Sequence, residues 1–281
     1  MGRSGTSALT RILSLCGGAL PVRLMPANFA NPAGYWEPQD AVEINDAFLR
    51  AYNSSWHDGS LALQSGAVGA AERRTFVCRI TELLRTGFEP GDPVVVKEPR
   101  ISGLLPYWSE ATAALGMPVK YILAVRDPIE VAASLAERDG LSVDHSFALW
   151  LKYNLIVERD TRAAPRLLVS YDDLMNDWKA TIRRCNAELK LRLAVDDAAS
   201  AIAAFLSPTL RHHRSALTAP PPLETSRLAA WTRRTYELMR AGSLDSSTAS
   251  EFDALRADYV RYGGSSSYAL VCAITRTSAS A

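Results

Sequence analysis

The stretch that decides how this 281-residue chain is interpreted is Gly2-Arg3-Ser4-Gly5-Thr6-Ser7-Ala8-Leu9-Thr10-Arg11-Ile12-Leu13. Its two glycines permit a tight turn, and apolar residues follow at helical spacing from about Ser7 onward. A turn rich in glycine and hydroxyl side chains that opens a helix suits an oxyanion, because unpaired amides and the helix dipole both point at it. Arg3 adds a positive charge at the mouth of the turn. On these residues alone, an ordinary capped helix is an equally good interpretation.

Three apolar runs beyond this turn predict buried parallel strands. They are Val94–Val96, Val119–Val125 and Arg166–Ser170. Charged residues follow the first two runs directly, namely Lys97, Glu98, Arg100 and Arg126. Because open α/β sheets bind ligands at the carboxyl ends of their strands, these charges are candidate site residues.

Apolar periodicity predicts helices between and after these strands. We expect helices that begin near residues 7, 39 and 128, and others over about 68–87, 104–115, 146–159, 181–189, 197–206, 226–241 and 246–259. The apolar run Tyr268–Ile274 is compatible with one further strand. The pattern predicts an α/β fold.

Composition narrows the classes of function. The chain has 31 basic and 30 acidic residues, so its charge does not indicate a nucleic-acid or membrane-surface partner. Four scattered cysteines without a C-x-x-C pair favour reduced thiols in a cytoplasmic protein over disulfides or a zinc site. No apolar run approaches the roughly 20 residues of a membrane span. We expect a single domain over residues 1–281, with a ligand-binding core over 2–180 and a mostly helical part over 181–281.

Arg126 and Ser134 are eight residues apart. With Arg126 at a strand end and Ser134 two turns into the following helix, both side chains can face one anion. The alternative is an arginine paired with Asp127 and a serine without a special role.

The segment Asn31-Pro32-Ala33-Gly34-Tyr35-Trp36-Glu37-Pro38 is rich in turn residues but carries two large aromatic side chains and a carboxylate. This combination suits the lining of a cleft. The alternative is that Tyr35 and Trp36 cover the edge of the core, while Glu37 is solvated or caps the next helix.

Taken together, these segments resemble sulfotransferases that use 3′-phosphoadenosine 5′-phosphosulfate (PAPS), bacterial ones in particular. The segments that carry the resemblance, in the family's order, are Arg3-Ser4-Gly5-Thr6-Ser7, Gly34–Glu37, Lys97–Arg100, Arg126 with Ser134, and Tyr171-Asp172-Asp173-Leu174. The Gly-Lys pair of the best-known phosphate loop is missing here. The resemblance implies a P-loop-type central parallel sheet flanked by helices. Such a loop normally follows a buried strand, and only Met1 precedes it, so we expect this first strand to be missing.

The resemblance also implies roles for the donor-binding residues. Arg3 would contact the 5′-phosphosulfate and stabilise the leaving oxygen, and the loop residues Ser4, Gly5, Thr6 and Ser7 would hold the 5′-phosphate. Arg126 and Ser134 would hold the 3′-phosphate. The Lys-Gly-x-x-Gly-Asp-Trp-Lys segment with which many cytosolic members hold this ligand does not occur here.

For the acceptor, the resemblance implies a hydroxyl or amine on a carbohydrate, lipid or small molecule, and no metal. None of the four histidines lies in a matching motif, so Glu37 is the candidate catalytic base and Glu98 the second choice. Substrate contacts are expected from Tyr35, Trp36, Lys97 and Arg100. Two alternatives remain: a kinase-like P-loop enzyme, and a nucleotide-binding protein without turnover.

Overall fold

The computed structural model describes residues 1–29, 31–206, 226–242 and 246–263. Helices flank two short strands in this part of the chain. The elements in chain order are α1 (Thr6–Leu15), α2 (Gln39–Ala51), α3 (Ala62–Ser65), α4 (Ala70–Thr86), α5 (Ile101–Ala114), β1 (Tyr121–Val125), α6 (Pro128–Asp139), α7 (Val143–Asp160), β2 (Arg166–Ser170), α8 (Tyr171–Asn176), α9 (Trp178–Leu189), α10 (Ala199–Phe205), α11 (Arg227–Arg240) and α12 (Ser246–Gly263). The predicted helices and two of the three predicted strands are confirmed. The run Tyr268–Ile274 lies outside the described residues.

β1 and β2 form a parallel sheet, with Tyr121 opposite Arg166 and Val125 opposite Ser170. The helices α6 and α7 connect the two strands, as parallel pairing requires. Arg126 follows β1 directly and α8 follows β2, so both connections leave the sheet at its carboxyl edge.

The prediction of a third strand at Val94–Val96 is wrong. This segment is paired at a single bridge with Ala19, through bonds from Ala19 N–H to the Pro93 carbonyl (2.9 Å) and from Val95 N–H to the Ala19 carbonyl (2.8 Å). Within the described residues no strand lies between it and β1, so the sheet there has two strands and not the larger number expected. A strand needs hydrogen-bonding neighbours along its length, and three valines cannot supply them.

The apolar core has three parts. The first surrounds α7, which is buried along most of its length against α6, α11 and α12 and includes the fully buried Trp150. The second packs α1 against β2 and α9, and the third packs α2, α4 and α5 together. The packing of these three parts places the start of α1 beside the carboxyl edge of the sheet. Within the described ranges, no helix is long and apolar enough to cross a membrane.

Candidate functional site: a basic cavity at the carboxyl edge of the sheet

The loop before α1 depends on glycine at position 5. Gly5 is the N-cap of α1 and has φ of 77°, in the left-handed region that glycine adopts without strain. A methyl group at this position would overlap the ring of Tyr171, which packs directly on the Gly5 backbone. No side chain caps the first turn of α1, so its amides stay accessible to an anion.

The structure brings the loop together with the Arg126 and Ser134 pair. Arg3 Nε donates to Ser134 Oγ (2.7 Å), and Arg126 Nη1 donates to the backbone carbonyl of Arg3 (3.2 Å). Arg126 also pairs with Glu130 (2.7 Å) and lies over the Tyr171 ring, 4.3 Å from its centroid. Two segments more than 120 residues apart thus form one basic cluster.

The charge of this cluster is partly withdrawn from water. Burial, with the nearby guanidiniums of Arg138 and Arg126, lowers the pKa of Arg3 from its usual value. The carboxylate of Asp127, which could have paired with Arg126, instead caps α6 by accepting from the Ile129 N–H (2.7 Å). Arg126 pairs instead with Glu130 of α6, and its Nη1 contacts the loop through the Arg3 carbonyl.

Lys97 connects three segments that are remote in sequence. Its ammonium donates to Ser7 Oγ (3.1 Å), to the Tyr35 carbonyl (3.0 Å) and to Glu37 Oε1 (2.5 Å). Burial lowers the pKa of Lys97 from its usual value, and the Glu37 carboxylate opposes this shift. The candidate base Glu37 is only 4% exposed, and the buried ammonium of Lys97 holds it beside the loop at residues 2–7.

The aromatic side chains of the same segment point in different directions. Tyr35 borders the cavity, and its hydroxyl donates to Asn28 Oδ1 (2.8 Å). Trp36 has φ of 59°, donates from Nε1 to the Ala33 carbonyl (3.1 Å), and stacks under the Arg11 guanidinium. The structure therefore places Trp36 against α1 and not on the cavity wall.

Glu98, the second candidate base, is fully engaged in a buried network. Its Oε1 accepts from Arg100 Nη1 (2.5 Å) and from the Arg100 backbone N–H (3.1 Å), and its Oε2 accepts from Asn45 Nδ2 (2.6 Å). Arg100 also pairs with Asp46 (2.5 Å), and Trp108 Nε1 donates to Asn45 Oδ1 (3.1 Å). Burial raises the pKa of Glu98, while Arg100 opposes the shift. This arrangement ties α2 to α5 and engages both carboxylate oxygens of Glu98.

These groups surround a cavity of about 830 Å³. Most of the predicted site residues line it: Arg3, Gly5, Thr6, Ser7, Tyr35, Glu37, Lys97, Arg100 and Arg126. Ser4, Ser134 and Trp36 do not line it. Ser134 reaches it through Arg3, whereas the Ser4 hydroxyl is buried without a hydrogen-bond partner among the described residues.

Sequence reasoning missed several residues of the cavity wall, among them Trp56, Arg138, Tyr153 and Tyr171. Arg138 had a usable signal, because it lies four residues after Ser134 and therefore on the same face of α6. Tyr171 belongs to a segment that carries the family resemblance, and it lies directly after β2. Trp56 carried no signal in the sequence, since its segment has no motif or periodicity.

In comparisons with known proteins, no family, curated protein or solved structure matches this chain.

Proposed function

We propose that this chain is a PAPS-dependent sulfotransferase that binds its donor in the 830 Å³ cavity. The observation that carries the proposal is the contact between the two predicted anion-binding elements, since Arg126 donates to the Arg3 carbonyl and Arg3 donates to Ser134. A single nucleotide with phosphate groups at both ends requires such proximity. The cavity volume lies within the usual range of about 300–1,000 Å³ for ligand sites.

The charge of the cavity supports a ligand with several anionic groups. Five cationic side chains line it: Arg3, Lys97, Arg100, Arg126 and Arg138. On the same wall, Glu37 pairs with Lys97 and Asp139 pairs with Arg138. Arg100 and Arg126 pair with Glu98 and Glu130, and an anionic ligand would share these paired cations with their carboxylates. For Arg3 the described residues include no ion pair, so a ligand would neutralise its charge. We assign residues 2–7 as a P-loop-type phosphate loop, in which the uncapped first turn of α1 and the Ser7 hydroxyl would bind the 5′-phosphosulfate. Arg126 and Ser134 would bind the 3′-phosphate.

The reaction is a displacement at sulfur. The donor supplies a sulfuryl group whose bridging S–O bond breaks as the acceptor oxygen or nitrogen bonds to sulfur, and adenosine 3′,5′-bisphosphate leaves. Arg3 stays protonated and stabilises the negative charge that develops on the bridging oxygen. Glu37 takes the proton of the acceptor, and the Lys97 ammonium orients this carboxylate through its hydrogen bond.

Titration calorimetry with adenosine 3′,5′-bisphosphate tests the donor site. Arg126→Ala removes a charged hydrogen-bond donor, so we expect affinity to fall about 10- to 100-fold. Arg50→Ala is the matched control, because Arg50 is an exposed arginine at the end of α2. Equal affinity in wild type and Arg126→Ala, or tighter binding of Mg²⁺–ATP than of the bisphosphate, would contradict the proposal.

Transfer of a labelled sulfuryl group tests turnover. PAPS labelled in its sulfuryl group is incubated with the full chain and a panel of glycans, lipid alcohols and phenols. We expect label in at least one acceptor class. Binding of the bisphosphate without any transfer would instead identify a nucleotide-binding protein that lacks turnover.

A further inference from the structure

One part of the cavity wall lies outside the loop at residues 2–7, and we call it the polar wall. It consists of Trp56, Arg100, Arg138, Asp139 and Tyr153. The charges of its two arginines are compensated within the protein. Arg138 donates to Asp139 from Nε (2.9 Å) and from Nη2 (2.7 Å). Arg100 pairs with Glu98 and with Asp46. The polar wall therefore carries polar groups without an excess of positive charge.

The polar wall still offers hydrogen-bond donors to a ligand. Among the described residues, Arg138 Nη1 and Arg100 Nη2 have no acceptor, and neither does Trp56 Nε1. None of these three nitrogens is sealed from solvent. The His57 ring centroid lies 3.4 Å from that of Trp56, and the Arg138 guanidinium lies 5.2 Å from the same ring. Because these two groups already contact the indole face, Trp56 contributes the N–H at its edge.

The backbone that carries Trp56 is fixed by side chains from two helices. Four consecutive carbonyls, at residues 56–59, each accept a hydrogen bond from a side chain of α7 or α12. The bonds run from Tyr153 to Trp56 (3.0 Å), from His145 Nε2 to His57 (2.6 Å), from Lys152 to Asp58 (2.6 Å) and from Tyr259 to Gly59 (2.5 Å). These bonds hold the segment in place before any ligand binds, which lowers the entropy cost of binding. The polar wall is thus organised in advance of a ligand.

We infer that the acceptor of the proposed reaction is an uncharged saccharide that binds against the polar wall. This inference rests on the proposed function. The hydroxyl oxygens of one sugar ring can accept from the N–H groups of Trp56, Arg100 and Arg138. The hydroxyl that reacts lies beside Glu37, which lines the same cavity. Its oxygen bonds to sulfur as the bridging S–O bond breaks, and its proton passes to Glu37.

Other classes of acceptor fit the polar wall less well. A lipid alcohol or a phenol carries one hydroxyl, so its apolar part would cover the N–H groups and leave them without a partner. A site built to bond a hydroxyl rejects an analogue that lacks it by up to about 10⁴- to 10⁵-fold. An acidic saccharide would bring a negative charge close to Asp139 and to the anionic donor, on a wall whose cations are already paired.

Transfer from labelled PAPS to matched acceptors tests the inference on the full chain. The saccharides are maltose and the methyl glycosides of glucose, galactose and mannose. Cyclohexanol, 1-octanol and p-cresol are the compounds with a single hydroxyl, and the methyl glycoside of glucuronic acid is the charged counterpart. We expect kcat/KM for at least one neutral saccharide to exceed that of each of these four compounds by about 100-fold or more.

The other outcomes separate this inference from the proposed function. Faster transfer to a compound with a single hydroxyl, or to the glucuronic acid glycoside, would overturn the saccharide assignment and leave the sulfotransferase proposal standing. Transfer to none of the compounds would overturn the saccharide assignment as well. Failure to bind adenosine 3′,5′-bisphosphate would overturn the proposed function itself, and this inference with it.

Two variants test the polar wall directly. Trp56→Phe keeps an aromatic ring but removes the Nε1 donor, and Arg138→Lys keeps the charge but removes the planar set of donors. In each we expect KM for the best saccharide to rise about tenfold, with kcat and the bisphosphate affinity within a few-fold of wild type. Trp178→Phe is the matched control, because Trp178 begins α9 and does not line the cavity. An unchanged KM in both variants would overturn the inference.

Discussion

Lys97 and Arg100 lie three residues apart, and each is a mostly buried cation paired with a buried carboxylate, yet the two pairs are built differently. The Lys97–Glu37 pair lies on the cavity wall and contacts the loop at residues 2–7 through Ser7. In the other pair, both oxygens of Glu98 are hydrogen-bonded. Arg100 reaches the cavity, but its guanidinium is shared between Glu98 and Asp46.

The difference shows how the surroundings of a buried ion pair decide its use. A carboxylate whose two oxygens are occupied is fixed in place and stabilises the packing of α2 on α5. A carboxylate that borders a cavity beside a single ammonium can exchange a proton with a ligand. We therefore expect the Lys97–Glu37 pair to govern chemistry and the Glu98–Arg100 pair to govern stability.

The largest effect should come from Glu37→Gln. Loss of a general base lowers turnover about 10²- to 10⁴-fold, while the bisphosphate affinity should stay within a few-fold of wild type. Sulfuryl transfer at saturating donor measures the first quantity and calorimetry the second. The control is Glu43→Gln, which changes an exposed carboxylate in α2, the helix that begins just after Glu37. Full activity of Glu37→Gln would remove the base assignment and leave the donor site untouched.

Glu98→Gln should act on stability instead. Arg100 loses one of its two carboxylates, so we expect the free energy of unfolding to fall by about 2–3 kcal/mol. Urea denaturation measures this change, and the exposed Glu82→Gln should stay within about 0.5 kcal/mol of wild type. A loss of activity per folded molecule in Glu98→Gln would mean that the two pairs are not separate in function.

A double-mutant cycle on the cavity pair gives a smaller effect. Lys97→Met leaves the Glu37 carboxylate buried without its cation, whereas Lys97→Met with Glu37→Gln removes both charges. We therefore expect the double variant to lose less unfolding free energy than the sum of the losses in the two single variants. The expected difference is about 1–2 kcal/mol. Denaturant midpoints of the four proteins measure this coupling. If the losses of the two single variants simply add in the double variant, the two charges do not stabilise each other.

The smallest effect concerns His57, whose buried Nε2 has no hydrogen-bond partner among the described residues. Burial lowers the pKa of His57 from 6.5 to about 4. Between these pH values the unfolded chain binds more protons than the folded chain, so the free energy of unfolding decreases as the pH falls from about 6.5 to about 4. Below about pH 4, the contribution of neutral His57 to the free energy of unfolding is fully lost.

His57→Gln should reduce this decrease. Urea midpoints at about pH 7 and about pH 5 measure it, because few carboxyl groups titrate between those values. The same drop in wild type and His57→Gln would assign the pH dependence to other groups.

The sequence predicted the elements that depend on local pattern. α7 and β1 carry apolar runs of the right period and length, and they form within a few residues of the expected bounds. The approach of Arg126 to the loop was also predictable, because parallel strands deliver their carboxyl ends to one edge. For α7 and β1 the information lies in residues adjacent in the chain, whereas the approach of Arg126 to Arg3, 123 positions away, follows from the position of Arg126 at a strand end.

What the sequence could not predict depends on distant neighbours. The valines of residues 94–96 have the composition of a strand but lack a paired strand among the described residues. The direction of Trp36 follows from its positive φ and from the Arg11 side chain, which no motif indicates. The partnership of Lys97 with Glu37 joins positions 60 residues apart.

One ring contacts two parts of the proposed donor site. Tyr171 touches the backbone of Gly5 and also lies under the guanidinium of Arg126. A change at any of these three positions therefore alters the setting of the other two. They form a single mutational unit, in which tolerated replacements must arise together and single-residue effects will not add.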